Sequence, residues 1–421
     1  MSTALRLYLP CAGGVEALLL AEVAALLPAA APRQGRGGVG VVTDAAGLMT
    51  LNLGSRLAQR VLVELAAGGY RDEADLYALA RGVDWPRWLT PQQTLRVDVS
   101  SRGSRLRSLH FAALRIKDAV CDRMRELSGA RPSVDTRRPD LPLLLHLDAT
   151  HATLYADSSG EPLFKRGWRE DTGDAPLKET LAAAMLAAAG WRGTPQHGGA
   201  LPDPCCGSGT IAIEAAQIAC GIAPGLQRRF AFERLAPFAK PALRAQLQQL
   251  RARLQAAQRP SAVPIYASDL SFRMIDFARR NARRAGVEQA IEFHGGDALE
   301  RPAPVLPPAL PGTLLLNPPY GQRVDAGGAA RPSHEDRATA PDWFERLAAH
   351  WKRAFTRHPA GWTAWVLSPD PKLPAAMRLK ATRRVPLWNG PIECRLFRFE
   401  LVAGRLQPDR GDAPAGAAGD A

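Results

Sequence analysis

At 421 residues, 46% of them hydrophobic, the chain is too long for one ordinary domain and can bury more than one core; its Leu and Ala content favours helices and α/β layers over an all-β protein. Lys and Arg number 54 against 41 Asp and Glu, a formal charge of +13, an excess that draws polyanions whatever their sequence. The six cysteines (Cys11, Cys121, Cys205, Cys206, Cys220 and Cys394) form no C-x-x-C pair and have no His partners at zinc-finger intervals, which points to reduced thiols and no metal.

The opening MSTALRLYLP lacks the layout of a secretion signal, and Val15 to Leu27, broken by Glu16 and Glu22, is too short to cross a bilayer. A cytoplasmic chain with no membrane partner is expected. Residues 4 to 10 alternate as a short strand, followed by an amphipathic helix over 15–27 that Pro28 ends. Strands are predicted over 38–43 and 95–100, and helices over 55–65, 73–80 and 108–127. A hairpin is predicted from 143–147 and 152–156 around Asp148 to His151. The first 160 residues thus read as a small α+β unit.

After Trp168 the pattern changes. A helix over 177–189 leads into strands at 199–203, 264–269, 291–294, 313–317, 363–368 and 395–401, separated by helices or loops. That alternation predicts a parallel sheet covered on both faces. Residues 221–262 form a long insertion, with a solvated helix expected over 242–258, and the tail from 407 is expected to be disordered.

Four motifs carry chemistry. Asp203-Pro204-Cys205-Cys206-Gly207-Ser208-Gly209-Thr210 sits where a strand meets a helix. Its glycines permit a tight turn and close ligand approach, the helix start offers N–H groups to an anion, and Asp203 could take an ammonium group. Pro202 stands against a central strand there, because it costs a ladder bond. Asp269 closes a second strand, where an acid can accept both hydroxyls of a ribose; Ser271 would cap the next helix and Gly286 end it. Gly296-Asp297-Ala298 follows a third strand, and an acid there could hydrogen-bond an adenine amino group. The most specific motif is Asn317-Pro318-Pro319-Tyr320, emerging from the apolar run Leu314 to Leu316. The oxygens of Asn317 and Pro318 can accept both hydrogens of one amino group, and Tyr320 can stack on a base.

In this order the four motifs resemble those of the class I S-adenosylmethionine methyltransferases, over about residues 165–402, and NPPY resembles the signature of enzymes that methylate amino nitrogens. Lys165-Arg166-Gly167-Trp168-Arg169, Ala175-Pro176-Leu177-Lys178-Glu179-Thr180, DPCCGSGTIAIEAA and Asn389 to Phe397 resemble the THUMP-containing branch, and within it the large-subunit ribosomal RNA guanine-N2 methyltransferases. The resemblance implies a Rossmann-like class I domain with a seven-stranded, mostly parallel sheet over 158–406. A ferredoxin-like unit (1–45) and a THUMP RNA-binding domain (46–157) would precede it. It implies S-adenosylmethionine as cofactor, held by Asp203, Cys205, Gly207, Gly209, Thr210, Asp269, Asp297 and Lys178, with Asn317, Pro318 and Tyr320 at the reacting amine. Ribosomal RNA is the implied partner. Ser101 to Arg138 fits independently, with ten Lys/Arg against four acids, so Arg102, Arg105, Arg107, Arg115, Lys117, Arg137 and Arg138 are expected to meet phosphates. Departures are Pro202, Ser271 in place of a second acid, and the Gly/Ala-rich 324–340.

The expected reaction is in-line attack of the amine on the methyl group, in which alignment matters more than a dedicated base. Cys205 and Cys206 are expected to line the pocket rather than act as nucleophiles. Three other readings remain open on the sequence: a DNA adenine-N6 methyltransferase, a protein-glutamine methyltransferase, and a noncatalytic RNA-binding assembly factor.

Overall fold

The computed structural model describes residues 4–173, 176–318, 323–324, 330–331 and 342–402. Its N-terminal part holds β1 (Leu5–Pro10), α1 (Glu16–Leu26), β2 (Arg33–Gly35), β3 (Gly38–Thr43), α2 (Ala45–Gly54), β4 (Leu62–Gly69) and α3 (Glu73–Arg81). Next come β5 (Thr94–Ser101), α4 (Leu109–Ser128), β6 (Ser133–Val134), β7 (Leu141–Leu147) and β8 (His151–Asp157). The strands form one continuous eight-stranded sheet in the order β2-β3-β1-β4-β8-β7-β5-β6. β4 is the joint: it runs antiparallel to β1 on one side and to β8 on the other.

The helix expected over 55–65 is not there. α2 ends at Gly54, residues 55–61 are a loop, and β4 begins at Leu62. The half-buried Glu22 carboxylate accepts from Ser55 Oγ (2.6 Å) and from the backbone N–H groups of Arg56 (2.8 Å) and Leu57 (3.3 Å), which holds this segment out of helix. The open edges of β1 and β8 then recruit Leu62–Gly69, so sheet pairing overrides local helical periodicity.

The C-terminal part continues with α5 (Glu179–Ala188), β9 (Leu201–Asp203), α6 (Thr210–Ala219), α7 (Pro241–Ala256), β10 (Ile265–Asp269), α8 (Phe272–Arg284), β11 (Ile291–Gly295) and β12 (Gly312–Leu316). It ends with the short pair β13 (Arg323–Val324) and β14 (Ala330–Arg331), then α9 (Trp343–Ala354), β15 (Trp362–Ser368), α10 (Leu373–Ala376), β16 (Ala381–Asn389) and β17 (Ile392–Leu401). β11, β10 and β9 form a parallel ladder; β12, β15, β17 and β16 form a second, mixed one. A parallel bridge between Ala200 and Gly312 joins the two, giving the order β11-β10-β9-β12-β15-β17-β16, in which β17 alone runs opposite to the rest.

Pro202 explains why the joint between β9 and β12 is so short. Along β9, Leu201 N–H bonds toward β10 (to Pro264 O, 3.0 Å), whereas Ala200 N–H bonds toward β12 (to Pro311 O, 2.9 Å). Residues alternate sides, so Pro202 would have to donate toward β12 and has no N–H to give. The strand is central even so, because its other edge pairs fully with β10.

Two further expectations change. β16 was not foreseen: ATRRVPLWN carries a proline and exposed arginines, as an edge strand can, and only its long partner β17 holds it in the sheet. α7 is not wholly solvated, since Leu247 and Leu250 are buried against the body of the protein.

Candidate active site

The carboxyl ends of β9, β10, β11 and β12 lie along one edge of the sheet, the edge at which open α/β folds bind ligands. Asp203, Asp269, Gly295 and Leu316 are the last strand residues there. Ala267 pairs with Asp203 and Asp269 with Gly295. Counting on from the Ala200–Gly312 bridge puts Asp203 level with Leu315 and the Cys205 turn level with Asn317.

The glycine turn leans over β10. Cys206 N–H donates to Ser268 O (2.9 Å) and Gly207 N–H donates to Asp269 Oδ2 (2.9 Å), so the first two motifs are bonded to each other. Gly207 and Gly209 both adopt positive φ (+52° and +90°), for different reasons. A Cβ on Gly209 would strike Ala278 of α8 at 2.9 Å, so this glycine lets α6 pack closely. A Cβ on Gly207 would meet nothing within 4 Å, so its backbone faces open space.

Asp203 is 1% exposed, and its Oδ2 has no hydrogen-bond partner. Its Oδ1 accepts only a long bond from Cys205 N–H (3.4 Å). Burial, with the Asp269 charge beside it, pushes its carboxyl well above the usual carboxylate range. A buried acid with a vacant lone pair beside an open glycine turn suits a cationic amino group. Asp269 is also raised by burial, but bonds from Ser271 and Gly207 N–H oppose this. Ser271 caps α8 through Met274 N–H (3.4 Å), and Gly286 follows that helix at φ +74°, as its sequence predicts.

Asp297 Oδ1 accepts from Leu299 N–H (2.9 Å), which shapes the turn after β11, and Gly296 beside it faces open space. Ala298 and Leu299 join Leu314 and Leu316 in one buried cluster, with Cys205 packed against it. The glycine turn, the Gly-Asp turn and the end of β12 therefore share an apolar floor. Asn317 is half-buried at the end of β12 and Pro318 is buried; Tyr320 lies outside the described residues. Burial and the neighbouring acids push both the Cys205 and Cys206 thiols well above their ordinary range, so they stay neutral and are poor nucleophiles.

A clamp behind the turn was not foreseen. The Arg169 guanidinium pairs with Glu179 (2.7 Å) and donates to Ser208 Oγ (3.0 Å), Thr210 Oγ1 (2.7 Å) and Leu177 O (3.2 Å). Asn281, fully buried on α8, donates to Ser208 O (3.1 Å) and Asp171 O (2.8 Å). Together they staple Arg169, Asp171, Leu177 and Glu179 to the glycine turn. Arg169 and Glu179 stand in motifs the sequence singles out; nothing in the sequence marks Asn281. The Thr210 hydroxyl accepts from this clamp, and the Lys178 ammonium lies over the Phe164 ring (5.2 Å).

The basic residues of the N-terminal part fall in three places. Arg102, Arg105 and Arg107 lie on the exposed loop between β5 and α4. On α4, Arg115 sits over the Tyr77 ring (4.6 Å) and Lys117 pairs with Asp118. Arg137 and Arg138 are exposed in the loop beyond the other end of that helix. Among the described residues no group of side chains could hold a metal ion, and no helix is long and apolar enough to cross a membrane.

Seven strands in this order, one of them reversed, with a glycine turn after the first and acids after the next two, define a class I methyltransferase fold. Residues 166–398 match the family described as RMKL-like, methyltransferase domain, and the chain belongs to that family. Residues 70–157 match the THUMP domain and 6–62 the RlmL ferredoxin-like domain. The chain is 37% identical over 411 residues to a ribosomal RNA large subunit methyltransferase K/L of Pseudomonas paraeruginosa, covering 95% of this chain and 53% of that one. It thus spans about half the length of the curated relatives it matches. Among solved structures, SMU.472, crystallised with SAH, superposes with a TM-score of 0.81 at 25% identity, covering 97% of this chain and 100% of that one. A predicted N6-adenine-specific DNA methylase from Listeria monocytogenes superposes with a TM-score of 0.78 at 27% identity, covering 94% and 96%.

Proposed function

We propose that the chain transfers a methyl group from S-adenosylmethionine to the exocyclic N2 amine of a guanine in large-subunit ribosomal RNA. The observation that carries this reading is the convergence, on one sheet edge, of an orphaned buried acid, an open glycine turn and the Asn317-Pro318 corner. The residues present fit the cofactor: Asp203 would hold its amino group, Asp269 its ribose, Asp297 its adenine amine, and the backbone from Cys205 to Thr210 would border it.

When bound, S-adenosylmethionine supplies an electrophilic methyl on a sulfonium, already a good leaving group. Asn317 and Pro318 accept the two hydrogens of the target amine, which fixes the direction of its lone pair and stabilises its growing positive charge. The neutral Cys205 side chain and the apolar floor beneath it limit water at the reacting amine. The amine sheds its proton after transfer, so no dedicated base is required. Tyr320 would stack on the base, and the THUMP-side arginines Arg102, Arg105, Arg107, Arg137 and Arg138, with Arg115 and Lys117, would hold neighbouring phosphates.

A DNA adenine-N6 reading is the second candidate, because the Listeria relative bears that name and adenine also presents an –NH2 group. The THUMP match favours RNA. Tritium transfer from labelled S-adenosylmethionine to RNA, DNA or protein separates the readings, and mass spectrometry of the ribosomal RNA names the base. Asn317→Ala should lower methyl transfer by about 100-fold or more while cofactor affinity holds. Retained transfer removes the role assigned to Asn317.

A further inference from the structure

From Arg234 to Ser268 the chain contains no Asp or Glu, although the whole protein has 41; the same stretch carries Arg234, Lys240, Arg244, Arg251, Arg253 and Arg259. A helix that is merely solvated mixes charges of both signs. Arg229, Lys240 and Arg244 are exposed and have no ion-pair or hydrogen-bond partner for their side chains among the described residues. Arg229 and Arg244 border a cavity of about 380 Å³ that Phe230, Phe232 and Leu247 also line, together with Glu233, whose charge is paired with Arg251 (3.1 Å).

The strip also has a neighbour. Arg234 pairs with Asp140 (3.3 Å) and donates to Pro139 O (2.8 Å), while Gln93 Nε2 donates to Arg234 O (2.9 Å). The insertion is thereby bonded to the THUMP side directly beside Arg137 and Arg138. The apolar side of α7 is already used, since Leu247 and Leu250 are buried against the protein. What faces outward is Arg, Gln and Ala, with no large apolar side chain to enter a bilayer, so the surface suits phosphate and not acyl chains.

We propose that the 221–262 insertion is a second RNA-contacting surface, which continues the Arg137-Arg138 loop through Arg234 onto Arg229, Lys240 and Arg244 and takes the phosphate backbone of structured RNA. This rests on the reading of RNA as substrate. The insertion runs from the end of α6 to the start of β10, at the amino edge of the sheet and away from the cleft, so one RNA reaches both only if it is folded and spans the domain.

The test uses the full chain and an in vitro transcript of a large-subunit ribosomal RNA domain, with a short single-stranded RNA alongside. Binding is measured across about 50 to 200 mM salt. The triple variant Arg229→Gln, Lys240→Gln, Arg244→Gln should flatten the slope of log affinity against log salt by about 2–3 for the transcript, and leave the short RNA unchanged. Arg229→Lys with Arg244→Lys should keep the slope, because phosphate attraction needs only the charge. If the triple variant does not fold, Arg244→Gln alone should flatten the slope by about one. An unchanged slope in folded variants overturns the proposal while leaving the RNA reading intact. No binding of either RNA by the unaltered chain overturns both. Loss of binding to phosphatidylserine vesicles with unchanged RNA binding overturns it in favour of a membrane surface.

Discussion

Buried polar groups are handled in opposite ways at the seam between the N-terminal and methyltransferase parts and at the carboxyl edge of the methyltransferase sheet. At the seam, the fully buried Glu214 of α6 accepts from Arg166 Nε (3.0 Å) and pairs with Arg56 (3.2 Å). Arg166 also donates to Leu163 O and Arg56 O (both 2.7 Å). Asn52 on α2 donates to Ser158 Oγ (2.9 Å) and accepts from Ser159 Oγ (2.7 Å). Arg228 of the insertion donates to the carbonyls of Ser159, Glu161, Pro162 and Lys165, and burial brings its guanidinium down to about 10. None of these side chains has a buried polar atom left unpaired. At the sheet edge Asp203 keeps a buried oxygen with no partner. A complete network fixes one arrangement of two parts, whereas the vacant oxygen of Asp203, set beside an open glycine turn, leaves a place that a ligand can complete.

The sharpest way to break the contrast is to unbalance the seam. Glu214→Ala leaves the buried Arg166 and half-buried Arg56 guanidinium groups without their carboxylate and should destabilise the fold by about 3–5 kcal/mol, read as a lower midpoint of urea unfolding. A midpoint within error of the unaltered chain would mean the seam is not cooperative with the rest. Next in size, Asp269→Ala should raise the dissociation constant for S-adenosylmethionine by about 10- to 100-fold, the worth of one or two bonds to a charged group, as measured by calorimetry. It also removes the acceptor for Gly207 N–H, so an unchanged affinity would sink both roles.

The smallest effect concerns pH. Asp203 has a carboxyl raised in the folded state, so between the ordinary value near 3.8 and that raised value the folded chain binds more protons than the unfolded one. Its favourable contribution is present below the ordinary value and is lost as pH rises through the raised one. Asp203→Asn should flatten that decline, with a Tm about 2 °C higher at pH 8 in the absence of cofactor, and should weaken cofactor binding. A variant with the same pH profile as the unaltered chain would show that Asp203 is satisfied in solution.

The candidate site was legible in outline because its motifs are local. Gly207, Gly209, Asp203, Asp269, Asp297 and Asn317 each stand at a strand end that hydrophobic runs announce, and parallel order carries those ends to one edge. Residues whose partners are distant in sequence were not legible. Asn281 reaches Ser208 O across 73 positions, and Arg169 reaches Thr210 across 41, on no periodic signal.

The alternation of strands and helices, the glycine turn and the strand-end acids follow from residue spacing over a few positions, so the chain's own letters announce them. That Leu62–Gly69 is a strand, that β16 joins the sheet and that Pro202 is tolerated in a central strand depend on the folded neighbours. In each case the deciding bonds come from a neighbouring strand, and an isolated segment carries no record of which edges will be open to receive it.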